Sequence, residues 1–213
     1  MSAADFLLSP AVQKLMQVVY AAPDQWLSSK ELTQRTKLAP DVLASTLEHL
    51  VRSGILASQT LQADQPPAFK ADPSFVFYRE LRSIALKSFA AAEPIRAMLR
   101  AKFKDSVVRA FILGEDDNSV IELVVVHGAV TPDEAAMTAA CTKLSKSLHR
   151  HLQVHVVSAN RLSAPARHDA LVHRLAAAST FEIIAPGDTK ARLPAERLGL
   201  LQSAKKKLAA LSR

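Results

Sequence analysis

Only one cysteine, Cys141, occurs in the 213 residues, so no disulfide can form within the chain. It lies in an Ala- and Thr-rich helical stretch, where it reads as a packed core residue rather than a nucleophile, and a reducing cytoplasm is the expected compartment. No run approaches the roughly 18 apolar residues of a membrane span, which predicts no membrane partner. The opening Met1-Ser-Ala-Ala-Asp has neither the basic start nor the apolar core of a secretion signal. Internal repeats and low-complexity tracts are absent too. What remains is a globular composition, 49% apolar and 22% charged, long enough for one large domain or two small ones.

Charge is unevenly spread. The net +7 suggests a nucleic-acid partner, yet residues 1–70 carry six Lys/Arg against six Asp/Glu, and residues 71–127 carry eight of each. Residues 128–213 hold thirteen against six, and a local excess of seven basic residues against Glu80 and Glu93 spans Arg79 to Lys104.

Apolar spacing predicts a helix over 8–22, with Ser9 as N-cap, Pro10 in the first turn and Val12, Leu15, Met16 and Val19 on one face. Pro23-Asp24 ends it. Ser28 and Glu31 form a capping box for a short helix to Thr36. Lys37-Leu38-Ala39 is a tight turn, and a third helix runs from Pro40 to Ser53 with Leu43, Leu47, Leu50 and Val51 inward. Gly54 ends that helix. Ile55–Ser58 and Ala68–Lys70 read as two strands joined by the loop Gln59–Pro67.

This order, carried by Leu32, Leu38, Leu43, Leu47, Leu50, Gly54, Ile55 and Leu56, resembles the winged helix-turn-helix of ArsR- and MarR-like bacterial regulators. The resemblance implies double-stranded DNA as partner, with the third helix in the major groove. Val42, Ser45, Thr46, His49 and Arg52 are the expected solvent-facing contacts, and Lys30, Arg35 and Lys37 would hold phosphates. Asp41 and Glu48 on the same helix oppose a polyanion, and the loop carries no Lys or Arg. A module that only dimerises or docks a protein is therefore the competing reading.

From Pro73 onward the chain predicts a helix from about Phe75 to Ala91. A second, from Glu93-Pro94 to Lys104, turns Ile95, Met98, Leu99 and Phe103 inward. Val107–Leu113 and Val120–Val126 are nearly continuous β-branched runs, as strands covered on both faces are. A helix from Thr131 to His149 follows, with Ala135, Ala139, Leu144 and Leu148 among its apolar positions. Then come a strand over Leu152–Ser158, a helix over Arg167–Ala177, a strand at Phe181 and a final helix from Pro194 bearing Lys205, Lys206 and Lys207. The phrase Tyr78-Arg-Glu-Leu-Arg-Ser-Ile-Ala-Leu-Lys87, followed by a helix and a buried strand ending in Gly, is similar to bacterial two-domain proteins. In those, a winged helix precedes a minimal nucleotidyltransferase-like domain. The expected fold is thus α+β, with domains at 1–72 and 73–213.

Active members of that family place Gly-Ser and a basic loop after the first strand and Asp-x-Asp on the second, so that carboxylates converge on Mg²⁺. Here Gly114 is followed by Glu115, the turn is Glu115-Asp116-Asp117-Asn118, and Val120 and Glu122 stand where the two acids belong. His155 occupies the third strand where another acid is expected. The resemblance therefore implies a degenerate nucleotide site at Gly114, Glu115, Asp116, Asp117, Glu122 and His155, with no catalytic residue, metal or cofactor. It also puts Glu122 and His155 on neighbouring strands, facing each other. His149, His151, His155, His168 and His173 lack metal-ligand spacing. The reading is a cytoplasmic transcriptional regulator, a homodimer, whose second domain dimerises, senses or docks a protein partner. An active nucleotidyltransferase acting on protein or RNA, and an adaptor that does not bind DNA, are the alternatives.

Overall fold

The computed structural model describes residues 2–60, 66–115, 120–163, 169–175, 177 and 179–193. It is a mixed α+β protein with two sheets, and its contacts divide it into two units: Met1–Ile95 with Leu144–His151, and Arg96–Lys143 with Leu152–Arg213.

In the first unit, Ser9 caps α1 (Pro10–Val19) and Pro10 sits where its missing N–H costs nothing. Leu15, Met16, Val18 and Val19 of this helix are buried. A strand too short to see in the sequence, β1 (Leu27–Ser28), then feeds directly into α2 (Ser29–Thr36). The capping box forms as the sequence predicts: Ser28 Oγ accepts from Glu31 N, and Glu31 Oε2 accepts from Ser28 N at 2.8 Å. Those bonds from Ser28, backbone first, hold the Glu31 carboxyl below its ordinary range. After α3 (Pro40–Arg52), Gly54 turns the chain at φ 74° into β2 (Leu56–Gln59), and β3 (Ala68–Ala71) returns. The sheet order is β1-β3-β2, all antiparallel. The following helix, α4 (Tyr78–Lys87), starts three residues later than Phe75, and its Ala85, with Phe89 beyond it, joins the same core as Leu15, Leu32, Leu43 and Leu50.

In α5 (Ala92–Lys102) and just past it, Ile95, Leu99 and Phe103 are buried. Then β4 (Val107–Glu115) and β5 (Val120–His127) pair antiparallel, and Leu123–Val126 are buried without a break, as strands covered on both faces require. Further along come α6 (Glu134–Leu148), β6 (His151–Ser158), a short α7 (Ala159–Ser163) that the sequence does not announce, α8 (Ala170–Leu175) and β7 (Phe181–Ile184). The sheet order is β6-β5-β4-β7. On α6 the sequence reading is corrected: Ala135 and Ala139 are exposed, whereas Met137, Ala140 and Cys141 are buried. Burial pushes the Cys141 thiol up to about 11. The expected helix from Pro194, with Lys205–Lys207, lies outside the described residues.

The two ends of the four-stranded sheet differ. The β7 ladder on β4 shifts register between Ala110 and Phe111, leaving Ile183 without a partner in it. Arg96 Nε donates to the Ile183 carbonyl at 2.7 Å, so that acceptor is satisfied by a side chain. Among the described residues no helix is long and apolar enough to cross a membrane.

Gly128, just past β5, is packed against backbone. Its N–H donates to Ser106 O at 3.0 Å, and Ala129 N–H donates to Arg192 O at 2.9 Å. A Cβ at Gly128 would fall 2.0 Å from the Arg192 carbonyl oxygen. Gly128→Ala should therefore cost roughly 1–3 kcal/mol in urea unfolding, the range expected of overpacking. Unchanged stability would show that the Arg192 backbone is not held there.

Candidate nucleic-acid interface and acid–imidazole cluster

On α3, side chains at 3.6 residues per turn sort into a buried arc and an exposed stripe. Leu43, Thr46, Leu47 and Leu50 are buried, while Val42, Ser45, His49 and Arg52 fall on the exposed side, three or four residues apart. Thr46 corrects the sequence reading. It is only 8% exposed, and its Oγ1 donates to Val42 O at 2.6 Å, so it faces the core edge and not a groove. Ser45 stays exposed, its hydroxyl donating to the same carbonyl at 3.1 Å. Asp41 and Glu48 share the exposed side, and Glu48 forms an ion pair with Arg52 one turn away. Such exposed pairs contribute about 0–1 kcal/mol, so a phosphate can displace Glu48 from Arg52 at small cost.

Lys30 is exposed in the first turn of α2, and Arg35 is half-buried in its last turn. Lys37 caps α2 in the left-handed region at φ 55°, its N–H donating to Thr33 O at 2.9 Å. A residue with a Cβ there is strained by about 1 kcal/mol or more. That turn sets the angle between α2 and α3 and leaves the Lys37 ammonium exposed.

Arg35 also belongs to a basic cluster that sequence reasoning missed. Partial burial of the otherwise exposed His149 ring first, then the cations Arg35 and Arg150, push its imidazole below its ordinary value. Arg150 is itself buried and donates from Nη1 to Gln17 O at 3.2 Å and Leu148 O at 3.4 Å. No periodic signal links residues 35 and 149, so the sequence could not bring them together. Because the native imidazole is harder to protonate than the unfolded one, its contribution to stability is complete above the unfolded value near 6.5. It should fall as pH drops below that value. His149→Gln should flatten the pH 7 to pH 5 limb of a stability profile; an unaltered limb would exclude this imidazole as its source.

In the second unit Gly114 lies opposite Glu122 in the β4–β5 ladder, next to a register shift, at φ 134°. Ser179 closes over it, its Oγ donating to Leu113 O at 2.9 Å. Glu122 and His155 do meet across neighbouring strands, with Oε2 and Nε2 3.8 Å apart. The stronger partner is one the sequence did not suggest: Arg174 Nη2, on α8, lies 2.7 Å from the same Glu122 oxygen. This is a charge contact without hydrogen-bond alignment at that buried oxygen. Glu122 and His155 are about a quarter and a third exposed, and Arg174 about half. The Glu115 backbone ends β4 opposite Ile121, while Asp116 and Asp117 lie outside the described residues, as does His168. Among the described residues no group of three His, Cys, Asp or Glu could hold a metal ion.

No protein-family model matches this chain, and neither a curated protein nor a solved structure does.

Removing Arg174 leaves Glu122 facing only the imidazole. Arg174→Met should destabilise by about 1 kcal/mol, and Glu122→Gln in the same chain should restore much of that loss. Additive losses in the double-mutant cycle would mean that the 2.7 Å contact carries no coupling.

Proposed function

We propose that this chain is a DNA-binding transcriptional regulator of winged helix-turn-helix type. Its second unit is a nucleotidyltransferase-like scaffold without catalytic activity, which serves dimerisation, sensing or partner docking. The observation that carries this reading is the run of α2, the left-handed turn at Lys37, and α3 with an exposed stripe, followed by the β2–β3 hairpin. This is the arrangement in which a second helix is presented to a major groove. Ser45 and His49 are the polar groups for base edges and Val42, 39% exposed, an apolar contact for a thymine methyl. Lys30, Arg35, Lys37 and Arg52 supply charge for phosphates. In the second unit Glu122, the one acid of β5, is engaged by Arg174 and approached by His155, a setting that among the described residues offers no converging carboxylates to Mg²⁺.

The acids Asp41 and Glu48 in the exposed stripe favour a second reading, a protein-docking module that binds no DNA. Selection from random duplex DNA with the full-length protein separates the two. The regulator reading expects an enriched motif, a preference relaxed by Ser45→Ala and an affinity lowered on all duplexes alike by Lys37→Ala. It also expects a salt slope that falls by about one unit per phosphate contact removed. No preference for any duplex at low salt overturns it. Transfer of label from an α-labelled nucleoside triphosphate, lost in Glu122→Gln, would restore the enzyme alternative.

A further inference from the structure

The second unit contains a cavity of about 820 Å³ along β6. Successive residues of a strand point to opposite faces of a sheet, so a cavity on one face meets every second residue. This one is lined by Val154, His155, Val156 and Val157 in a row. It therefore follows the strand's outer edge. Its walls come from both sides: Met137 and Thr138 from α6, and Leu171 and Arg174 from α8. Val157 packs with Leu171 in one apolar cluster, which fixes the face toward which Val157 and His155 point. The strand order agrees, because among the described residues β6 is terminal in the sheet and has β5 as its one neighbouring strand.

An unpaired strand edge offers a row of backbone donors and acceptors, and proteins ordinarily guard it with Pro, Lys, a bulge or brevity. The β7 end is guarded in that manner: it is four residues long, shifted in register and has Arg96 bonded to its unpaired carbonyl. Among the described residues the β6 end is neither short nor marked by Pro or Lys. It is eight residues long and reads His-Leu-Gln-Val-His-Val-Val-Ser.

We propose that the β6 edge is a docking site for an extended peptide of another protein, which adds as a fifth strand between α6 and α8. Residues 154–157 span about 13 Å at 3.3 Å per residue, room for a core of four to six peptide residues. The peptide's alternate side chains would meet Met137 and Thr138 on one side and Leu171 on the other, so apolar residues are required at every second position. Acidic residues in its centre are disfavoured, because Glu134 lines the α6 wall while Arg174 is matched by Glu122 and Arg161 by Asp169 at 2.6 Å. A second copy would bring the α6 and α8 walls of its own edge against these, whereas a lone peptide strand brings none. The site is independent of whether the first unit binds DNA.

The test is selection of peptides from a displayed library of random nonamers on the full-length protein, followed by anisotropy with the enriched peptide. Methylating its backbone nitrogens one at a time should give an alternating pattern, with affinity down about tenfold at every second position and unchanged between, because only alternate N–H groups face β6. Thr138→Trp, an exposed groove residue, should abolish binding without altering circular dichroism. The proposal is overturned by no enrichment, by a methylation pattern without alternation, or by binding that survives Thr138→Trp. A concentration-dependent dimer lost in Thr138→Trp would overturn it as well, giving the edge to a second copy.

Discussion

Covering both faces of β5 constrains the whole second unit. Ile121 and the run Leu123–Val126 are buried, so the strand has no wet face on which a polar side chain can be placed without a partner. Glu122 is the exception, and its position is tolerable because a guanidinium stands 2.7 Å away and an imidazole 3.8 Å away. The same burial puts pressure on the strand's two ends. At one end the ladder shifts register at Gly114, where φ is 134° and a side chain would be strained. At the other, Gly128 lets the Arg192 backbone come too close for any Cβ. A strand that dry therefore needs glycine beside each end and an arginine from another helix.

How much of this was legible depends on whether the signal is local. The helices of the first unit are written in 3.6-residue spacing and in punctuation by Ser9, Pro10, Ser28, Glu31, Pro40 and Gly54, and they form where those residues put them. The β4–β5 pair is equally plain from its β-branched runs. Three features were not legible. The two residues of β1 are too few for any period and exist because Leu27 meets Phe69 across the sheet. Alanines on α6 carry no direction, so Ala135 and Ala139 could not be told from Ala140 until Met137 and Cys141 fixed the inward face. Thr46 sits at the border of the buried arc, where a threonine can satisfy its hydroxyl on the preceding turn and turn its methyl inward.

Sites were harder than elements, for the same reason. The approach of Glu122 and His155 followed from the sheet order that the family resemblance implied. Arg174 did not, because it arrives on a six-residue helix far along the chain with no pattern to announce its target. On α3 the exposed stripe was readable, but its electrostatics depend on geometry. Arg52 is a phosphate ligand in a sequence and half of an ion pair in the fold.

The shifted register of β7 and the guanidinium on its spare carbonyl also bear on how this sheet can grow. A sheet with two open ends is polymerisable: each added strand presents a fresh edge, and fibres follow. Here one end is terminated by an internal side chain, so growth has a single direction. Neutralising or shortening Arg96 would thus change the valence of the sheet from one to two. The hazard of that substitution lies in solubility as well as in the hydrogen bond lost at Ile183.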